Sequence, residues 1–127
     1  MTAKPAKIMV VEDEVLIGLM LARKLRTFGY QVAGPVTSGE EAIKRLEDER
    51  PEVILMDITL AGKMNGIEAG RIIKTKYAIP IIIFSGYDDS FFSQQVRELA
   101  PVAVLKKMGP VSAITAAIQK ALNPNIS

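Results

Sequence analysis

Five short apolar runs, each separated from the next by a segment of helical period, constrain this chain more than any other feature. The runs are "KIMVV", "YQVAGPV", "EVILMD", "IPIIIFS" and "VAVLK". They are rich in β-branched residues, bounded by turn formers and too short for helices, so each reads as a strand. Strands that alternate with helices require crossover connections, and these make a parallel sheet covered on both faces. Unbroken apolar runs, rather than alternating ones, fit strands buried from both sides. The second run is interrupted by Gly34 and Pro35, which places it nearer an edge. The expected fold class is α/β, a doubly wound five-stranded parallel sheet with five helices. At 127 residues the expectation is a single domain, 1–127, with a core from about 7 to 122 and no output domain.

The helices follow from spacing and punctuation. From Glu14 to Phe28 the residues Ile17, Leu21, Leu25 and Phe28 recur at helical steps, and Gly29 ends the helix. "SGEEAIKRLEDE" opens with Ser38 and Glu41 in capping-box spacing. The loop "ITLAGKMNG" leads to a helix from about Ile67 to Tyr77, and "DDSFFSQQVREL" places Phe92, Val96 and Leu99 on one face. The last helix carries Val111, Ile114, Ile118 and Leu122.

Sites in such sheets lie outside the carboxyl ends of the strands, where strand order reverses. There the first strand runs into Glu12 and Asp13, the third ends at Asp57, the fourth at Ser85 and the fifth at Lys106. Any one of these alone would be an ordinary turn or capping residue; their conjunction on one rim points to chemistry. The chain has no histidine and no cysteine, which excludes the usual general base, thiolate metal sites and disulfides. Three carboxylates without nitrogen or sulfur ligands suit Mg²⁺ (or Mn²⁺), an ion that keeps waters and accepts phosphate oxygens. A hydroxyl and an ammonium opposite would cradle a phosphoryl group, and Asp57 could then form an acyl phosphate. Net charge is +2, with no basic stripe interleaved with aromatics, so nucleic-acid binding is not expected. No apolar run approaches the length of a membrane span.

At these residues the chain resembles the receiver domains of two-component signalling, over roughly Lys7 to Leu122. The resemblance rests on "VVEDE", "ILMDITL", "NGIE", "IIIFSG" and "VLKK". It implies a flavodoxin-like sheet of order 2-1-3-4-5, with the first and third strands adjacent. It further implies that Asp57 is the phosphoacceptor, and that Asp13 and Asp57 hold the metal directly. Glu12 would hold it through water and Thr59 through its backbone carbonyl. Ser85 matches the hydroxyl that follows the phosphoryl group, and Lys106 the lysine that pairs with it. The implied function is a cytoplasmic phosphoryl-accepting switch in a phosphorelay, not an enzyme, that assists its own phosphorylation and dephosphorylation. Its partners would be a sensor histidine kinase or phosphotransfer protein, and a downstream protein on the face of the fourth helix, fifth strand and fifth helix. Phe91 or Phe92 would be exposed on that face, with core packing the favoured reading for Phe92.

The chain departs from the family pattern in three places. Lys106-Lys107 stands where the family has Lys-Pro, Ala103 where an aromatic lies three residues before the lysine, and Ala61 where the loop has proline. Two of these touch loop geometry, and the second leaves no ring to carry the signal outward. Other readings fit less well. A haloacid-dehalogenase-type phosphatase wants a second Asp where Thr59 stands. A flavin or nucleotide carrier wants a Gly-, Ser- or Thr-rich loop where "VEDEV" stands. A degenerate receiver acting only as an interaction module is the remaining alternative.

Overall fold

The computed structural model describes residues 5–60, 62–86 and 93–124. Elements alternate along the chain: β1 (Lys7–Val11), α1 (Val15–Thr27), β2 (Gln31–Val36), α2 (Gly39–Glu49), β3 (Val53–Asp57), α3 (Gly66–Lys76), β4 (Ile81–Ser85), α4 (Ser93–Leu99), β5 (Ala103–Lys106) and α5 (Val111–Leu122). All strand pairs are parallel and the order is β2-β1-β3-β4-β5. The doubly wound expectation holds, and the strand interrupted by Gly34 and Pro35 lies at an edge.

Strand alternation divides the core in two. Met9, Val11, Ile54, Met56, Ile81 and Ile83 turn toward α2, α3 and α4. Ile8, Val10, Val53, Leu55, Ile82 and Phe84 turn the other way, against Leu25 of α1 and Ile114, Ala117 and Ile118 of α5. All five residues of β3 are buried, as a central strand covered on both faces requires. The carboxylate at its end is therefore carried on the most enclosed strand of the molecule.

Helix ends show where local sequence signals acted. Gly29 takes a φ of +92°, a left-handed conformation that glycine adopts freely, and the chain turns there out of α1. Phe28 does not share the buried stripe: it is 57% exposed, and Gly18, Ala22 and Leu25 are the buried residues of α1. Ser38 accepts a hydrogen bond from the Glu41 amide at 3.2 Å, one half of a capping box. The full reciprocal box lies instead at Asn65 and Glu68, at the start of α3. Phe91, Phe92 and Ala61 lie outside the described residues.

Candidate functional site

The backbone at the carboxyl ends of β1 and β3 fixes the acidic side chains. The Glu12 amide donates to the Val36 carbonyl at 2.8 Å, which extends the β1–β2 pairing to the rim. Asp57 is the last residue of β3, in register with Phe84 of β4. Beyond it, the Ile58 amide donates to the Phe84 carbonyl and the Gly66 amide to the Ile58 carbonyl, tying the loop down on both sides. Gly66 must be glycine: a Cβ there would overlap the Asp57 carbonyl oxygen and lie 2.9 Å from its carbon. The "NG" at the start of α3 thus serves both the helix cap, through Asn65, and the close approach of α3 to the acid, through Gly66.

Glu12 and Asp57 are 2% and 1% exposed, and Asp13 is partly buried. One carboxylate oxygen from each of Glu12, Asp13 and Asp57 lies within 4.8 Å of the other two. Asp57 Oδ1 accepts the Thr59 amide at 3.1 Å, and Glu12 Oε2 accepts the Glu14 amide at the same distance. Burial raises the Glu12 carboxyl to about 8, and the adjacent Asp57 adds to the rise. Burial also raises Asp57, against the pull of Lys107, Glu12 and the Thr59 amide.

The ammonium at Asp57 belongs to Lys107, not Lys106. Lys107 Nζ lies 2.7 Å from Asp57 Oδ2, 3.2 Å from Glu12 Oε2 and 3.5 Å from Glu14 Oε1. Burial acts to lower its pKa, but the contacts with Asp57 and Glu12 prevail and hold it above the ordinary lysine value. The reason for the one-residue correction is strand alternation. Ala103 and Leu105 pack on the α1–α5 core that Phe84 joins, so Lys106 turns away and is exposed, whereas Lys107 returns to the Asp57 side. The Lys107 amide donates to the Ser85 carbonyl at 3.1 Å, and Gly109 donates back to Lys106, closing a turn in which Met108 has a φ of +65°. The Lys106–Lys107 bond is trans; the cis bond among the described residues is Gly34–Pro35.

Counting from Lys107 also moves the position that corresponds to the family's aromatic. Three residues back lies Val104, 51% exposed, rather than Ala103, which packs inward. Neither carries a ring. Ser85 is in register with Lys106, and its hydroxyl is directed to the Gly86 carbonyl at 3.4 Å, with no hydrogen bond to Asp57 among the described residues. Ser85, Gly86, Lys106, Lys107, Met108 and Glu14 line one cleft of about 580 Å³. The hydroxyl and both lysines therefore open onto a common space beside the acids. Sequence reasoning missed Lys107; the signal was the inward parity of Ala103 and Leu105.

Comparison with known proteins agrees with this geometry. Residues 8–119 match the family described as the response regulator receiver domain. The chain belongs to that family. Among curated relatives, it is 30% identical over 121 residues to the transcriptional regulatory protein PdtaR of Mycobacterium tuberculosis, covering 95% of this chain and 58% of the relative. It is 30% identical over 117 residues to the phyllosphere-induced regulator PhyR of Methylorubrum extorquens, covering 91% of this chain and 43% of the relative. The receiver domain thus spans about half the length of these relatives. A solved structure, the signal receiver domain of a modulated diguanylate cyclase from Desulfovibrio desulfuricans, superposes with a TM-score of 0.89 at 28% identity, over 94% of this chain and 95% of that one. No helix of the described receiver domain is long and apolar enough to cross a membrane.

Proposed function

We propose that this receiver domain is a phosphoryl-accepting switch of a two-component phosphorelay, with Asp57 as acceptor. The observation that carries the reading is the buried Asp57 carboxylate, held by the Thr59 amide on one oxygen and met by the Lys107 ammonium on the other. An Asp57 oxygen attacks the phosphorus of a phosphohistidine on a sensor kinase or phosphotransfer protein. The P–N bond breaks, its electron pair returns to the imidazole, and an acyl phosphate remains on Asp57. Lys107 offsets the charge on the acceptor and on the transferring oxygens. Ser85, which lines the shared cleft, would donate its hydroxyl to a phosphoryl oxygen once one is present.

The donor set fits Mg²⁺ or Mn²⁺: three carboxylate oxygens in mutual reach, in a chain without histidine or cysteine. Asp13 and Asp57 would hold the ion directly, Glu12 through water, and the Thr59 carbonyl would complete the protein ligands. Bound there, the ion would neutralise phosphoryl charge. The same residues would orient a water for hydrolysis of the acyl phosphate, so the domain assists both its loading and its discharge without being a classical enzyme.

The donor would dock over the exposed apolar side chains at the start of α1, Leu16, Leu19 and Met20, and over Met108, which lines a common hollow with Met20. The phosphorylated state would be read by a downstream protein on the face of α4, β5 and α5, where Val104 and Lys106 are exposed. The test is uptake from acetyl phosphate, followed by intact mass. With Mg²⁺ one phosphoryl group is expected; with EDTA, or in Asp57→Asn, none. Equal uptake by Asp57→Asn would overturn the assignment.

A further inference from the structure

The loop between Asp57 and α3 is tied down at its two ends, and a side chain from another element ties its middle. That side chain is Glu40, in the first turn of α2. Its Oε2 accepts the Lys63 amide at 3.4 Å. Gly62 lies over the same carboxylate: its φ of +97° is left-handed, and a Cβ there would stand 2.8 Å from Oε2 and 3.4 Å from Oε1. Oε1 is buried without a hydrogen-bond partner among the described residues, although Gly62 and Lys63 are themselves exposed. The base of this arm is firm. A Cβ on Gly39 would meet the Ala69 Cβ at 2.8 Å and Met64 Sδ at 3.5 Å, so the start of α2 is packed against α3 and the loop. The positive end of the α2 dipole favours the carboxylate where it stands. A buried carboxylate oxygen without a partner costs stability, so the contact is a poor device for stability alone and calls for another role.

We propose that Glu40 is a positioning residue for the acidic site, holding Gly62 and Lys63 so that the loop keeps the Thr59 carbonyl where a metal ion would use it. The inference rests on the proposed Mg²⁺-dependent switch and adds α2, which contributes no residue to the acidic cluster, to the elements that set its metal affinity. Thr59 is held on one side by its amide on Asp57 Oδ1, and on the other its neighbour Leu60 packs against the core. Glu40 restrains the far half of the same loop. It touches neither the acids nor a phosphoryl group, and acts only through the loop.

Two measurements test this. Mn²⁺ affinity is measured by electron paramagnetic resonance for wild type, Glu40→Ala, Glu40→Gln and Glu41→Ala, each shown to be folded by its amide spectrum. Glu40→Ala should bind about tenfold more weakly, the lower end of the loss expected for a group behind a metal ligand. Glu40→Gln keeps an oxygen for the Lys63 amide and should bind close to wild type. Glu41→Ala removes the same charge from an exposed position in the same turn, and should also bind close to wild type. Equal binding by wild type and Glu40→Ala, or a loss in either control as large as in Glu40→Ala, would overturn the proposal and leave the phosphoacceptor reading intact. No binding by wild type would overturn the metal-dependent reading and this proposal together. The second measurement needs no variant: hydrogen exchange of the Lys63 amide is followed with and without Mg²⁺. Coupling between the clamp and the metal is reciprocal, so exchange at Lys63 should slow at saturating Mg²⁺. An exchange rate indifferent to bound metal would show that the clamp and the site are independent, and the proposal would fall.

Discussion

The two halves of the rim are built to different tolerances. At the ends of β1 and β3, backbone packs on backbone: Gly66 lies against the Asp57 carbonyl with no room for a methyl group, and Glu12 and Asp57 are almost fully buried. At the ends of β4 and β5, the corresponding glycine, Gly109, has among the described residues only the Lys106 carbonyl oxygen near it, at 3.1 Å from an added Cβ, and the side chains line an open cleft. One half holds the acids in fixed positions. The other presents a hydroxyl and two lysines with room to move. A site that must receive and release a phosphoryl group needs both, since the acceptor has to be pre-positioned and its counter-charges have to follow what arrives.

The largest expected effect tests the rigid half. Gly66→Ala should cost about 3 kcal/mol or more, because the added carbon meets backbone that cannot yield without moving Asp57. Gly109→Ala should cost under about 1 kcal/mol, since its φ lies outside the left-handed region and one carbonyl needs to shift by tenths of an ångström. Urea melts of both variants measure the contrast. Equal costs would mean that the two halves are equally tight.

That difference also explains what the sequence could reveal. Strand ends on the rigid side are unambiguous, because "VVEDE" and "VILMD" pass directly from buried apolar residues to acid, and burial forces the first polar residue to the edge. Glu12, Asp13 and Asp57 were therefore placed correctly relative to one another. On the open side, "VLKK" offers two lysines, and charge alone does not choose between them. The choice follows from which of Ala103, Val104 and Leu105 face inward, a matter of parity that four residues of an edge strand barely encode. Phe28 failed for a related reason: it sits at the helical step that continues Ile17, Leu21 and Leu25, but α1 has ended before it can turn inward. Alternating strands and helices were readable throughout, since each apolar run was long and bounded by turn residues.

A smaller effect separates the two lysines in metal-free protein. Lys107→Met leaves buried carboxylates with less compensation and should cost about 1–3 kcal/mol, below the range for a fully enclosed pair because Lys107 keeps some solvent contact. Lys106→Met, on an exposed side chain, should stay within about 0.5 kcal/mol. Denaturation in EDTA compares them. If the costs were reversed, the assignment of the site lysine would revert to Lys106.

The smallest effect is one of slope. Folded Glu12 titrates near 8 against an ordinary 4.5, so between those values the folded chain binds more protons than the unfolded one. Stability then falls as pH rises through that window. Asp57, also raised by burial, acts in the same direction. Lys107, raised above its ordinary value, is charged in both states there and adds no slope. Thermal midpoints in EDTA should therefore decline from about pH 5 to about pH 8. The decline should be weaker in Glu12→Gln and unchanged in Lys106→Met. A midpoint that climbed over this interval in wild type would contradict the burial account of the acidic half.

The central claim, that this receiver domain stores a phosphoryl group on Asp57, is tested most directly by trapping the bond itself. Protein loaded from acetyl phosphate with Mg²⁺ is reduced with borohydride, which converts an aspartyl phosphate to homoserine, and the modified residue is located by peptide mass spectrometry. The account predicts homoserine at position 57 and at no other aspartate, with the signal abolished by EDTA. Homoserine at Asp13 or elsewhere, or none at all in protein that had gained a phosphoryl group, would contradict it.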